Sequence, residues 1–491
     1  MAALAAAFLW PRLAGTAQPL MMSFAVLLSA VALAHRMLRD RWLFRMAAAG
    51  AGIKLLAAML LFYISAWNLP FLQQFHLGGG FWTFAPDSLV YDRFGRDVAL
   101  AWQFGRAFPT GWETVEAFSL YTGAVYYVFG SHPLIAIALN AWHATVAVIA
   151  GVVIAQRFGA STWTTRGVAA ALAFWPSLIL WSALLLKDTF VLSLLMVALW
   201  VCVELCAPTV RRGTAWLWWL ALALLPFPLW FLRFYLDYVL ALGLLTGIAA
   251  GAVVWGRTDR TQRLQAMRCL AAFAIFAAAL VVADRTDYIA LLQPAVRGEP
   301  VAANSLAPQA RRSPGAAREG SRSLGSVVAA LGDMPEVLGA MRQGVASEGG
   351  TVIDESVRIR SVRDLVVYLP RGLVVLYFSP FPWQWFTPGQ STGALRLMAV
   401  VETVLLYLLC PLLLGALLQV LRAHDARLWL LAGTTTAVAC ALAIAVPNMG
   451  TLFRLRLLAI FPMIALLAAT EPGWRQLWFR QSQPPLDHAK S

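Results

Sequence analysis

The chain has 491 residues, of which 60% are hydrophobic and 13% charged, with a mean hydropathy of +0.70 and a formal net charge of +14. This hydropathy excludes an ordinary soluble globular protein, and repeated apolar runs of about 20 residues, the length that crosses a bilayer, indicate an integral membrane protein. Excess Lys and Arg is typical of cytoplasmic loops and of contact with anionic membrane lipids, so we expect no nucleic-acid partner.

Basic loops between the apolar runs predict the orientation. Loop 35–45 carries four arginines and is expected in the cytoplasm, so the segment 70–117 faces the extracytoplasmic side. Continued alternation gives about eleven crossings, with the N-terminus outside and the C-terminus inside, and puts every short basic loop on one side. The predicted crossings are 18–34, 46–68, 133–156, 166–186, 189–206, 214–231, 236–255, 268–283, 397–421, 428–446 and 453–470.

Three other segments are not expected to cross. Residues 115–130 are aromatic and interrupted, which favours the outer interface, and 364–386 is apolar but contains several Pro and Trp, which favours a re-entrant or interfacial segment. Residues 284–363 form a long polar extracytoplasmic loop. The predicted fold class is an all-α polytopic membrane protein in three parts: an N-terminal transmembrane module (1–283) with a catalytic first loop (70–117), a loop region (284–396), and C-terminal helices with a cytoplasmic tail (397–491).

Cysteine and histidine placement predicts no metal site. The five cysteines lie in or beside apolar runs without a Cys-x-x-Cys pair or a nearby His, which indicates buried free thiols. His132 and His143 have no companions at ligand spacing. The cysteines are Cys202, Cys206, Cys269, Cys410 and Cys440.

Unusual charged residues gather near the predicted outer ends of the helices. A charge at mid-bilayer costs roughly 2.5–3.5 kcal/mol, and the cost is lower near helix ends, so each residue also has an ordinary interpretation as an interfacial charge. These residues are Asp87, Asp92, Lys187, Asp188, Arg233, Asp237, Arg454 and Arg456.

The stretch 84–92 places two acids beside a Pro and a Tyr. A helix that begins just after Pro86 would lie on the membrane surface, with Asp92 on its polar side and four residues from Arg96. Asp92 therefore has an explanation as a solvated ion-pair member, whereas Asp87 has no local partner and is either a helix N-cap or a functional acid. The expected apolar stripe is Val90, Phe94, Val98 and Ala101.

The remaining candidates also have two interpretations. Lys187 and Asp188 are either a charge pair at the lipid surface or site residues. Arg454 and Arg456 lie two positions apart, so on one helix they point about 200° apart and at most one enters a given pocket. Trp383, in the PFPWQWF segment, belongs either to an aromatic belt or to a sugar-binding platform.

Three motifs resemble the GT-C superfamily of polytopic glycosyltransferases, particularly the bacterial branch similar to protein O-mannosyltransferases and lipid A aminoarabinose transferases. PDSLVYD resembles the acidic motif of their first loop, FWPSLILWSALLLKD their Pro-Ser helix ending in Lys-Asp, and NMGTLFRLRLLAIFPMIALLA their late helix entered by Arg-x-Arg. Ser88 stands where relatives of the aminoarabinose type tend to have Glu, so the second acid of a two-acid metal site is missing. The cofactor stays unknown, and a divalent cation stays open without being indicated.

The resemblance implies an inverting sugar transfer from a polyprenyl-phosphate-linked donor to a glycolipid, polysaccharide or protein acceptor, on the extracytoplasmic face of a bacterial inner membrane. A carboxylate would accept the proton of the acceptor hydroxyl, and cations would stabilise the leaving phosphate. Asp87 is the predicted base, with Asp188 and Asp92 as secondary catalytic candidates. The predicted substrate-binding residues are Tyr91, Lys187, Arg233, Arg454, Arg456 and Trp383.

Three alternatives stay open at the sequence level. A polysaccharide polymerase or ligase would use a diphosphate-linked glycan, and a lipid-glycan flippase or transporter would need polar residues along a path through the membrane. The charges predicted at mid-span, chiefly Lys54, Glu204 and Glu402, do not suggest such a path. A scaffold of an export assembly would use the long loop for docking.

Overall fold

A computed structural model describes residues 17–109, 115–207, 215–254, 260–293, 338–339, 342–343, 352–354, 356–386, 393–423 and 425–481. The first half contains α1 (Ala17–Met37), α2 (Arg41–Ala66), β1 (His76–Gly78), β2 (Phe81–Trp82), α3 (Asp87–Phe104), α4 (Glu116–Phe129), α5 (Pro133–Arg157), α6 (Thr162–Ala173), α7 (Pro176–Ser182), α8 (Asp188–Leu205), α9 (Ala215–Leu224) and α10 (Pro226–Arg233). The second half contains α11 (Tyr235–Val254), α12 (Arg260–Arg285), α13 (Tyr288–Leu292), α14 (Val362–Phe378), α15 (Gly393–Arg422), α16 (Ala426–Ala445), α17 (Met449–Leu455) and α18 (Leu457–Gln481). The two short strands pair antiparallel.

Ten helices of the described chain are long and apolar enough to cross a bilayer, which confirms an all-α polytopic membrane protein. Their central members are α5, α8 and the Leu457–Trp474 part of α18, whose side chains are buried mostly among other helices. The ten spans are Ala17–Met37, Arg41–Ala66, Pro133–Arg157, Asp188–Leu205, Ala215–Arg233, Tyr235–Val253, Gln262–Arg285, Leu395–Arg422, Ala426–Ala445 and Leu457–Trp474.

Helices α5 and α8 run parallel, so the chain between them returns across the bundle. At their beginnings, Asn140 of α5 donates to the carbonyls of Leu184 and Leu186 just before α8, at 2.7 and 2.8 Å. At their other ends, Arg157 and Glu204 form an ion pair at 2.6 Å. We call the end where α5 and α8 begin the upper end of the bundle and the other the lower end.

The returning segment is broken, whereas the sequence predicted one continuous crossing over 166–186. It consists of α6, a break at Phe174 and Trp175, α7, and an irregular stretch before α8. Pro176 explains the break, because proline has no amide proton and forces the residue before it out of the helical region. Trp175 accordingly has extended backbone angles, with ψ of 121°.

Helix α3 packs on α4 through small residues, and its buried face overlaps the predicted stripe in part. A Cβ added at Gly95 would lie 2.7 Å from Thr122, so the two helices are in close contact there. The buried face includes Asp92 and Gly95 together with Val98 and Ala101 of the predicted stripe, while Val90 is exposed. The stripe is thus confirmed in part, and the placement of Asp92 on the polar side was wrong.

Helix α14 lies at the upper end of the bundle. A Cβ added at Gly372 would lie 2.7 Å from the carbonyl of Ala443, in the last turn of α16, and Ser379 contacts the side chain of Thr403 near the start of α15. The interfacial or re-entrant placement of this segment stays a prediction. Most of the predicted 284–363 loop lies outside the described residues, but Arg342 within it donates to the carbonyl of Ile444 at 3.2 Å.

Candidate functional site

Four charged residues from separate parts of the chain meet at the upper end of the bundle. Arg454 donates from Nη1 to Asp87 Oδ2 at 2.9 Å, and its Nε lies 3.0 Å from Asp188 Oδ2, within ion-pair distance but without the alignment of a hydrogen bond. Arg233 donates to Asp188 Oδ1 at 2.8 Å. We call Asp87, Asp188, Arg233 and Arg454 the site cluster.

Helix ends bring these four side chains together. Asp87 and Asp188 are the first residues of α3 and α8, where the positive end of the helix dipole favours a carboxylate. Arg233 is the last residue of α10, where a cation is favoured. Arg454 lies in α17, which begins after Asn448, an N-cap whose side chain accepts from the amide of Gly450 at 2.9 Å.

The two carboxylates of the site cluster differ in exposure. The Asp87 side chain is 43% exposed, whereas that of Asp188 is 4% exposed and lies between two arginines. Asp87 is not an N-cap, because it is the first helical residue of α3 and makes its ion pair with Arg454. Asp87 is thus the carboxylate that a ligand can reach, and Asp188 holds the two arginines in place.

Lys187 lies next to the site cluster and faces a small cavity. Its ammonium makes no ion pair or hydrogen bond with other residues in the described ranges. Burial, followed by the nearby Arg233, lowers the pKa of Lys187 to about 8. The cavity, of about 50 Å³, is also lined by Glu116, Phe118 and Tyr288. A mostly protonated amine at a cavity can bind an anion.

Sequence reasoning missed Glu116 and Tyr288 as lining residues. The Tyr288 hydroxyl donates to Glu116 at 3.2 Å, across a separation of 172 residues. The sequence contains no signal for a contact between positions so far apart.

Tyr91 is buried one helical turn after Asp87. Its ring packs edge-on against Phe118, with centroids 4.7 Å apart. Burial, with the carboxylates of Asp87 and Asp188, raises the pKa of Tyr91. The phenol therefore stays protonated and can donate a hydrogen bond.

Three predicted site residues lie elsewhere. Asp92 pairs with Arg96 at 2.9 Å, as predicted, but it is buried rather than solvated and also accepts from the Tyr126 hydroxyl at 2.6 Å. Arg456 points away from Arg454 and pairs with Glu402 at 2.9 Å. Trp383 is exposed and stacks on Phe381, with centroids 4.7 Å apart.

Asp237 is a further charge that was expected near the outer helix ends. It is fully buried in α11, and its carboxylate oxygens have no hydrogen-bond partner among the residues that the structure describes. Within those residues, His, Cys, Asp and Glu side chains form no group of three that could hold a metal ion.

Comparison of the chain with protein-family models, with curated proteins and with solved structures finds no match. The site cluster and the residues around it therefore carry the functional inference.

Proposed function

We propose that the protein is a membrane glycosyltransferase that moves a sugar from a polyprenyl-phosphate-linked donor to an acceptor hydroxyl, at the extracytoplasmic face of a bacterial inner membrane. The observation that carries the proposal is the convergence of an accessible carboxylate, Asp87, with Arg233, Arg454 and the unpaired Lys187 at one end of the described bundle. The motif resemblance points to the same reaction.

Asp87 is the proposed base. As the acceptor oxygen forms a bond to the anomeric carbon, its proton passes to the Asp87 carboxylate and the bond between that carbon and the phosphate oxygen breaks. Arg454 holds Asp87 in the ligand-free arrangement. A donor phosphate that binds Arg454 would take over part of this contact and leave Asp87 available to the acceptor.

The cations match the charge of the proposed donor. Lys187, Arg233 and Arg454 together with Asp87 and Asp188 have one net positive charge when all five are ionised. A sugar phosphodiester carries one negative charge, whereas a diphosphate diester carries two. Glu116 lines the same cavity and offsets one of these cations, so the charge balance suits a phosphate-linked donor without separating a monophosphate from a diphosphate.

A transporter receives less support from the mid-span charges. Glu204 pairs with Arg157 at the lower end, while Lys54 and Glu402 bond to the backbone at the break between α6 and α7. The contacts of these three residues are typical of packing and helix capping. The three side chains do not form a polar path across the described bundle.

Asp87→Asn tests the proposal because it removes the base and keeps the shape of the side chain. We expect consumption of a polyprenyl-phosphate sugar in membranes to fall about 10²–10⁴-fold. Asp97→Asn, on the same helix but outside the site cluster, should retain activity. Full turnover by Asp87→Asn at normal expression would contradict the assignment, and separate assays with monophosphate-linked and diphosphate-linked donors distinguish the two enzyme classes.

A further inference from the structure

The break between α6 and α7 lies beside charged side chains that are removed from solvent. Lys54 of α2 is 1% exposed, Glu402 of α15 is 0% exposed, and Arg456, the C-cap residue that ends α17 directly before α18, is 2% exposed. Burial of an ion costs several kcal/mol unless its partners compensate for the lost hydration. We call these three residues the buried frame.

The buried frame caps the two helix ends that flank the break, the C-terminal end of α6 and the N-terminal end of α7. Lys54 donates to the carbonyl of Ala173, the last residue of α6, at 2.8 Å, and Glu402 accepts from the amide of Ser177 in the first turn of α7. A helix end has unpaired carbonyls and a negative dipole, and a helix start has unpaired amides and a positive dipole. Each charge therefore has the sign that its helix end favours.

Glu402 also connects the break to the start of α18. Its second oxygen accepts from Arg456 at 2.9 Å, and Arg456 donates to the carbonyl of Ser379 at 3.0 Å. Arg456 is two residues from Arg454, and the chain that continues from Ser177 leads to Asp188. The Glu402 carboxylate therefore holds two chain segments, one that leads to Asp188 and one that contains Arg454, the two partners of an ion pair in the site cluster.

We propose that Glu402 is a positioning residue for the site cluster. By holding α7 and the start of α18 together, it fixes the separation of Asp188 and Arg454 and so aims Arg454 at Asp87. The inference concerns the geometry of the site cluster and does not depend on which reaction occurs there.

A cysteine at position 87 can report this geometry without an activity assay. In a background with the five native cysteines replaced by alanine, the Asp87→Cys thiol lies beside Arg454, which favours its reactive thiolate. The measurement is the rate of its modification by an anionic methanethiosulfonate reagent, divided by the rate with a neutral one. The thiolate population affects both rates equally and cancels, so the ratio reports the positive potential of Arg454 at the thiol. Adding Glu402→Gln should lower this ratio about tenfold, because a displaced Arg454 attracts the anionic reagent less strongly.

Glu204→Gln is the matched control, because Glu204 is another buried glutamate paired with an arginine but lies at the lower end. An unchanged ratio in Glu402→Gln, or an equal fall in both variants, would overturn the inference. If Glu402→Gln does not fold, the double variant Glu402→Gln/Arg456→Gln removes both charges and leaves neither ion unpaired. The same fall is expected there, and an unchanged ratio would again overturn the inference.

Discussion

Arg454 and Arg456 lie two positions apart, yet Arg454 belongs to a group of charges that solvent partly reaches and Arg456 to a group that is fully buried. Arg454 binds the partly exposed Asp87, and Lys187 beside it, which has no ion-pair partner among the described residues, faces a cavity. Arg456 binds the fully buried Glu402 and a backbone carbonyl. The positive charge of Lys187 beside the neutral site cluster is therefore available to a ligand, whereas the buried frame uses its charges on helix ends and on backbone.

The largest expected effect on stability is that of Arg456→Met, measured beside Arg454→Met. Arg456→Met leaves Glu402 buried without its cation and should lower the free energy of unfolding by about 3–5 kcal/mol. Arg454→Met should cost much less, because Asp188 keeps Arg233 and Asp87 is partly exposed. Unfolding in mixed micelles measures both variants, and equal destabilisation would contradict the distinction between the two groups.

A smaller effect concerns the pH dependence of ligand binding at the site cluster. Lys187 is mostly protonated below its pKa of about 8 and loses its charge as the pH rises through that value. Affinity for a short-chain polyprenyl phosphate should therefore fall up to about tenfold between about pH 7 and 9.

Lys187→Arg supplies the control for that titration, because arginine stays charged over this range. Its affinity should change little over the same pH interval. An equally steep fall in Lys187→Arg would assign the pH dependence to another group.

The smallest expected effect is at the lower end. Asp40 caps α2 by accepting from the amides of Trp42 and Leu43 at 2.7 and 3.1 Å, and it pairs with Arg166 at 3.1 Å. Asp40→Ala should cost about 1 kcal/mol of stability and leave lipid-phosphate affinity unchanged. Loss of that affinity would show that the two ends of the bundle are coupled.

The apolar spans were predictable because a bilayer requires long runs without charge. The broken crossing was predicted as one run, since its residues are apolar throughout, although Pro176 was a signal for the break. The groups that stabilise the break, Lys54 and Glu402, come from α2 and α15. No local pattern reveals such distant caps.

The site residues were predictable as charges at the ends of apolar runs, but their pairing was not. Arg233 and Asp188 are separated by 45 residues, and Arg454 and Asp87 by 367. Helical spacing correctly predicted that Arg454 and Arg456 point in different directions, without deciding which enters the site. Asp92 was placed on the wrong face because its partner Tyr126 belongs to another helix.

The parallel course of α5 and α8 bears on which membrane face each later loop reaches. Between the loops that follow α1 and α15, seven long helices of the described chain cross, an odd number that would leave these loops on opposite faces. The broken segment adds an eighth crossing and returns them to the same face. Arg166 pairs with Asp40 there, and Arg427 lies over the Phe158 ring at 4.9 Å. Among the described helices, the discontinuous one thus accounts for the even number of passages between these two loops.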